Sequence, residues 1–438
     1  MSETASIPTT GLLAYLGPPL RAHARLALEA QGYRLHEIDA DGPDPELPEG
    51  ADVFVYGLGR NHPQIGRLQH EAIKRGLPAV TDLSMLGAAA EAVAIPSEKR
   101  VIITGSAGKS TTAALLEKLL VQGGVKGEEI DAEAGYLNAA GLNAAVLLLT
   151  IAPAHLRYAE RTGCAGAVLL NLTEEDGGPV GEKTREACTA LLTAASFGIL
   201  GTDDTGAQSL LMSVRRRSPS TARALIPVSG NATLSDGWFA LDRAIYAVRN
   251  GRTRRVADFH DSAILLGDHL SQCAAAASAL AERFGIKDDH IAKGLLAYRG
   301  LEGRFDCIGT EGRIVFVDDR HASCRASTAA AMATCPDVFW IGHRFGDLTK
   351  AAKAALRSTF YLTPPDGSGP PVDNVVTFSN AEDALGAALA SAQDLLRREP
   401  AATPVILFSP GCKGYVRQGD SFKIRALSYL SERRRSHG

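Results

Sequence analysis

Short uninterrupted apolar runs alternate along the chain with alanine-rich stretches in which apolar positions recur every three or four residues. The first kind predicts buried strands and the second predicts helices, so the alternation predicts α/β layers on parallel sheets. GLLAYLG (11–17) reads as a strand, PLRAHARLALEAQG (19–32) as a helix, and YRLHEID (33–39) as a second strand. ADVFVYGLG (51–59) and LPAV (77–80) follow as strands around the helix PQIGRLQHEAIKRG (63–76). The polar stretch IPSEKR (95–100) marks a boundary.

Beyond it stands the clearest strand–loop–helix of the sequence, VIITGSAGKSTTAALLEKLLVQGG (101–124). AVLLLTI, AGAVLLNL, FGILGTD, ARALIPVSG, WFALD and AIYAV read as strands, with hairpin turns at Asp236-Gly237 and Asn250-Gly251. HLSQCAAAASALAERFG (269–285) is a helix, and AYRGLEGRFD (297–306) reads as a hinge. RIVFVDD, DVFWIG, NVVTF and PVILFSPG then predict strands, RASTAAAMATC and AEDALGAALASAQDLLRRE helices, and the proline-rich TPPDGSGPP (363–371) a loop. The expected architecture is three α/β domains: a Rossmann-like domain over 1–97, a phosphate-loop domain over 98–302 and a second Rossmann-like domain over 303–438. Hinges are expected near 98 and 303.

Composition narrows the field. A net charge of −3 over 438 residues gives no general attraction to nucleic acid or anionic membranes. The basic runs SVRRRSPSTAR and SERRRSHG lack interleaved aromatics and read as solvated surface. Seven cysteines without a C-x-x-C pair suggest neither a zinc module nor a disulfide frame. With no basic, apolar leader and no apolar run of membrane-spanning length, the expected setting is the cytoplasm.

The chemistry starts at Gly105-Ser106-Ala107-Gly108-Lys109-Ser110-Thr111. Two glycines let backbone N–H groups turn inward, and the helix that follows adds the positive end of its dipole, so the loop suits a polyphosphate. Lys109 would reach the terminal phosphates and the Ser110 hydroxyl would coordinate Mg²⁺. Ile103 stands where the first glycine of the longer phosphate-loop pattern belongs.

This loop resembles the nucleotide loop of the Mur ligases, ATP-dependent amino-acid ligases of peptidoglycan assembly with three α/β domains. DVFVYGLGRNHPQIGRLQHEAIKRGLPAVTDLSML (52–86), GLEGRFD (300–306), VFVDDRHASCRAST (315–328) and VILFSPGCKG with RQGDSF (405–422) extend the likeness to the D-glutamate-adding branch. The resemblance implies ATP and Mg²⁺, a UDP-sugar peptide precursor and an amino acid as partners. It implies an acyl phosphate that the incoming amine attacks. Arg304 matches an arginine beside the nucleotide, Asp319 a ribose-holding carboxylate, His321 the place of a lysine near the phosphates, and Ser323 a substrate-binding hydroxyl. His269 remains of an adenine-side motif whose asparagines are replaced by Leu270 and Cys273. Asp176 takes the place of a metal-binding histidine.

Departures gather at the metal and substrate ends. Thr150 stands where the family has a metal-binding glutamate, and Cys188 where it has a carbamylated lysine. At the first-domain turn, Gly17 is followed by Pro18-Pro19, which lack N–H donors for a diphosphate. Arg344 sits in the altered turn WIGHRFGD, and Lys413 and Arg417 in a shortened loop are the candidates to receive an amino-acid carboxylate. Three readings follow: the D-glutamate ligase, a ligase with another acceptor, and a catalytically impaired paralogue that binds nucleotide or protein.

Overall fold

A computed structural model describes residues 6–39, 45–59, 63–89, 95–173, 179–217, 224–262, 267–343, 348–363 and 377–437. These residues form three sheets. In the first, strands β1 (Gly11–Leu16), β2 (Tyr33–Glu37), β3 (Val53–Tyr56) and β4 (Ala79–Thr81) run parallel in the order β2-β1-β3-β4. Helices α1 (Ala22–Ala30), α2 (Ile65–Lys74) and α3 (Asp82–Ala88) connect or follow them.

The central sheet has the order β13-β12-β11-β10-β9-β8-β5-β7-β6. Its parallel part comprises β5 (Arg100–Thr104), β6 (Gly127–Ile130), β7 (Val146–Ile151), β8 (Gly166–Leu169), β9 (Phe197–Gly201) and β10 (Leu225–Ser229), with helices α4 (Lys109–Gln122), α5 (Glu182–Ala194) and α6 (Thr205–Arg217) among them. Every residue of β5 and β7 is buried, as expected of strands covered on both faces. An antiparallel extension follows: β11 (Gly237–Leu241), β12 (Ala244–Arg249) and β13 (Arg252–Asp258). Helices α7 (Asp268–Arg283) and α8 (Asp288–Ala297) close the unit.

One expected hairpin is not there. β10 and β11 pair in parallel, so Asp236-Gly237 ends a crossover and Gly237 (φ 113°) opens the strand. A Cβ on Gly237 would lie 2.2 Å from the Pro227 carbonyl oxygen, which accounts for the glycine. The tight turn falls instead at Asp242-Arg243, both left-handed at φ 48° and 55°. Asn250-Gly251 does turn the next hairpin, at φ 53° and 72°.

In the third sheet the order is β14-β15-β19-β16-β17-β18. β14 (Asp306–Glu311) is antiparallel to β15 (Ile314–Asp318), while β16 (Asp337–Gly342), β17 (Leu356–Leu362), β18 (Thr377–Phe378) and β19 (Pro404–Phe408) join in parallel. Its helices are α9 (Arg325–Thr334), α10 (Lys350–Ala355), α11 (Ala381–Arg398) and α12 (Val416–His437). The basic C-terminal run thus ends a 22-residue helix. Buried Arg320 ties that helix down, pairing with Asp318 of β15 and Asp420 of α12. Among the described residues no helix is long and apolar enough to cross a membrane.

The first two sheets share one apolar cluster, in which Leu13, Tyr15 and Leu86 pack with Tyr136, Leu137 and Ile151. Each such buried side chain contributes about 2 kcal/mol, against about 1 kcal/mol per hydrogen bond, so the docking is chiefly apolar. Polar contacts fix its register. The Asn138 side chain accepts from Arg21 N–H at 2.7 Å and donates to the Pro19 carbonyl at 3.1 Å. Asp82, fully buried, accepts from the Tyr136 N–H at 2.9 Å and the Leu58 N–H at 3.3 Å. Burial raises its carboxyl from 3.8 to about 7. The folded chain therefore keeps a proton that the unfolded chain releases, and stability present at low pH is lost as pH rises through that window. Asp82→Asn removes this titration while disturbing one accepted hydrogen bond. The melting-temperature deficit of the variant against wild type is expected to shrink between pH 5 and pH 8; a deficit constant with pH would contradict the assignment.

Candidate active site

β5 lies between β7 and β8, and the loop that leaves its carboxyl end carries the motif. Ligands in open α/β sheets collect at this edge. Gly108 adopts φ 86° immediately before α4, and a Cβ there would meet Cys273 Sγ at 2.9 Å and Leu170 Cδ1 at 3.2 Å. Glycine is thus required twice over, by conformation and by space. The loop is stapled to the segment after β8. Asn171 accepts from Ala107 N–H at 2.8 Å and donates to its carbonyl at 3.1 Å, while Ser106 N–H donates to the Asn171 carbonyl at 3.1 Å. Ser110 and Thr111 fall in the first turn of α4. The half-buried Lys109 ammonium donates to the Gly105 carbonyl at 2.9 Å, and desolvation, then the nearby Arg304, lower it to about 8.

A cavity of about 300 Å³ opens over this loop, between the central and third units. It brings together Ser106, Ala107, Gly108, Lys109, Ser110, Thr111, His269, Arg304, Asp319, His321 and Ser323. Burial lowers His269 to about 4, so it is a neutral ring, edge-on to Phe305 with centroids 6.1 Å apart. Arg304 donates to the His321 carbonyl at 3.1 Å. His321 itself is held below the ordinary histidine value by burial and by Arg304, so it does not replace a lysine's charge at neutral pH. Asp319 accepts from Phe305 N–H at 3.1 Å and the Ser409 hydroxyl at 2.8 Å, and burial lifts it to about 7. Its carboxylate braces the link between the two units.

Other expected residues stand apart or out of view. Lys413 is exposed, yet its charge acts on Lys109. Arg417 belongs to the exposed face of the first turn of α12. Gly17 follows β1 and is not among the residues lining the cavity; a Cβ there would lie 2.3 Å from the Tyr15 hydroxyl. Asp176 and Arg344 lie outside the described residues. Cys188 is buried in the apolar cluster under α5.

Several site residues were not singled out from the sequence. Asn171 precedes the acidic run that drew the eye, and only its double bond to Ala107 reveals its part. Asp203 accepts from Ser229, Gly230 and Gln272, and with Asp204 and Asn231 it lines the same cavity as Arg304. Glu129 on β6 accepts from the Thr150 hydroxyl at 2.9 Å, and burial raises it to about 7. The acid that β7 itself lacks is therefore present on its neighbour. Among the described residues no three His, Cys, Asp or Glu side chains form a metal cage. Mg²⁺ beside a nucleotide needs none, since one or two protein oxygens and the phosphates suffice, and the Ser110 hydroxyl with a nearby carboxylate fits that pattern.

No protein-family model matches the chain. The UDP-N-acetylmuramoylalanine--D-glutamate ligase of Phenylobacterium zucineum is 28% identical over 331 residues, 73% of this chain and 68% of that protein. Among solved structures, MurF from Acinetobacter baumannii superposes with a TM-score of 0.57 at 17% identity, covering 94% of this chain and 90% of its own. Folylpolyglutamate synthase of Mycobacterium tuberculosis complexed with ADP gives 0.57 at 13% identity, covering 83% and 98%. The chain is a sequence relative of the Mur ligases and has their three-domain α/β fold.

Lys109→Ala removes the cation at the centre of the loop. ADP affinity measured by calorimetry should fall about tenfold or more, with little change in melting temperature. Wild-type affinity in that variant would dismiss the loop as a phosphate site.

Proposed function

We propose that the chain is an ATP-dependent, amide-forming ligase of the Mur type, with ATP in the cavity over residues 105–111. The observation that carries this is the convergence of the stapled phosphate loop and Lys109 from the central unit with Arg304 and His321 from the third. Domain divisions at 97/98 and 302/303 and a cytoplasmic setting belong to the same reading.

In this reading the loop N–H groups and Lys109 hold the β- and γ-phosphates, and Arg304 faces them across the seam. An acceptor carboxylate oxygen attacks the γ-phosphorus, ADP leaves, and an acyl phosphate remains. The amine of the second substrate attacks the acyl carbon, phosphate departs, and the amine sheds a proton. Neutral His321 offers a ring nitrogen for that proton. Mg²⁺, when bound, would neutralise charge on the phosphate oxygens, with Ser110 and Asp176 as proposed ligands. Asp319 and His269 fit the ribose and base ends of the same cavity, and Ser323 its substrate mouth.

The relatives' names favour UDP-N-acetylmuramoyl-L-alanine as acceptor and D-glutamate as the amino acid, with Lys413, Arg417 and Arg344 as candidates for its carboxylates. One observation favours a second reading, an acceptor without a diphosphate at the first-domain turn. There Glu37 already accepts from Leu20 N–H at 3.3 Å, Asn138 takes Arg21 N–H, and Gly135 approaches Pro18. A carboxylate and a side-chain amide occupy donors that a diphosphate would need.

Phosphate release from ATP and Mg²⁺ distinguishes these. Release that requires both UDP-N-acetylmuramoyl-L-alanine and D-glutamate is the expected result for the first reading. Release that appears only with other carboxylate acceptors would favour the second, and none with any acceptor and amino acid would reject the ligase.

A further inference from the structure

The first sheet runs β2-β1-β3-β4, so the chain leaves β1 for β2 on one side and comes back to β3 on the other. In an open parallel sheet such a reversal parts the loops beyond the strands' carboxyl ends, and a ligand settles in the crevice between them. Here the crevice is shut. A Cβ on Gly57, just past β3, would lie 2.9 Å from Pro18 Cδ and 3.1 Å from Gly17 Cα, so the two loops touch where they should part.

A turn of the central unit, residues 131–138 between β6 and β7, lies over the closed edge. A Cβ on Gly59 would stand 2.0 Å from the Ala132 carbonyl oxygen, and one on Gly135 would stand 3.1 Å from the Tyr15 hydroxyl and 3.2 Å from Pro18 Cγ. The turn also takes up the polar groups of that edge. Asn138 accepts from Arg21 N–H at 2.7 Å and donates to the Pro19 carbonyl at 3.1 Å, while Tyr136 N–H shares the Asp82 carboxylate with Leu58 N–H. The turn is anchored in its own unit. Tyr136 and Leu137 are fully buried, the Tyr136 hydroxyl donates to the Thr150 carbonyl of β7 at 2.8 Å, and the Asp131 carboxylate accepts from Ala134 N–H at 2.7 Å. A ligand entering the crevice would have to uncover both apolar side chains and break these bonds.

We propose that the 131–138 turn is the resident occupant of the first unit's ligand crevice, and that the acceptor is a carboxylic acid carried on something other than a nucleoside diphosphate. This rests on the second reading of the acceptor given above. It makes Tyr136 and Asn138 the residues that exclude a diphosphate, and the first unit a fixed wall of the molecule. The acceptor is left the side of the nucleotide cavity lined by Ser323, Ala326 and Ser327, whose side chains are short.

The test uses the intact chain with UDP, UDP-N-acetylmuramoyl-L-alanine or ADP, each with Mg²⁺, followed by calorimetry and hydrogen exchange. Without ligand, segments 17–21 and 131–138 should exchange slowly, and neither UDP compound should alter them. Uncovering two buried side chains should hold UDP affinity for the crevice about a hundredfold or more below the affinity of the cavity for ADP. A UDP compound that competes with ADP and leaves both segments unchanged sits in the nucleotide cavity and supports closure. Rapid exchange of 131–138 in the free chain overturns the proposal, as does UDP binding that changes exchange in either segment. Phosphate release should appear with carboxylate acceptors that carry no nucleotide, and release that requires UDP-N-acetylmuramoyl-L-alanine also overturns it. Release with no acceptor of any kind rejects the ligase reading and the acceptor class together, while the exchange data still decide what fills the crevice.

Discussion

The paired hydrogen bonds between the Asn171 carboxamide and both peptide groups of Ala107 hold the geometry on which the rest of the site depends. They fix the loop against the end of β8, and so set where Gly108 turns and where α4 begins. Gly108 can turn there because it has no Cβ, for which Cys273 and Leu170 leave no room. Burial holds the Cys273 thiol protonated, pushed up to about 11, so it acts there as a compact apolar wedge. The loop is shaped before any ligand arrives, which spares binding the entropy of ordering it.

Electrostatics at the seam follows from that fixed loop. Lys109 belongs to the central unit and Arg304 to the third, and each raises the cost of the other's charge. Buried acids stand nearby, yet Glu129 and Asp319 are both lifted to about 7 by desolvation and offset that repulsion only in part. A polyphosphate between the two cations would relieve it. Closure of the third unit on the loop and binding of an anion are therefore favourable together.

Much of this was legible in the sequence. The strand–loop–helix at 101–124 is legible because glycines and a buried strand set the backbone there, whereas Arg304, Asp319, His321 and Ser323 come from the resemblance that GLEGRFD and VFVDDRHASCRAST carry. What escaped was non-local. Glu129 carries no motif in the sequence, and only the pairing of β6 with β7 brings it to Thr150. Asn138 carried no motif at all, although it joins two units. The turn at Asp242-Arg243 was hidden because arginine rarely takes a left-handed conformation; here its guanidinium is anchored to the Phe259 and Ser262 carbonyls.

The way the apolar clusters divide has a thermal consequence. The first and central sheets are welded by one such cluster, whereas the third sheet has its own, and Phe305 is an aromatic side chain that packs on both sides of that seam. Heat capacity rises with apolar surface exposed to water and falls with polar surface. Parting the first sheet from the second would uncover Tyr136, Leu137 and their neighbours and carry a large positive heat-capacity change. Swinging the third unit away uncovers Phe305, a few alanines and a polar cavity wall, and carries a small one. Of the two joints, the second is therefore the one whose energetics would vary least with temperature.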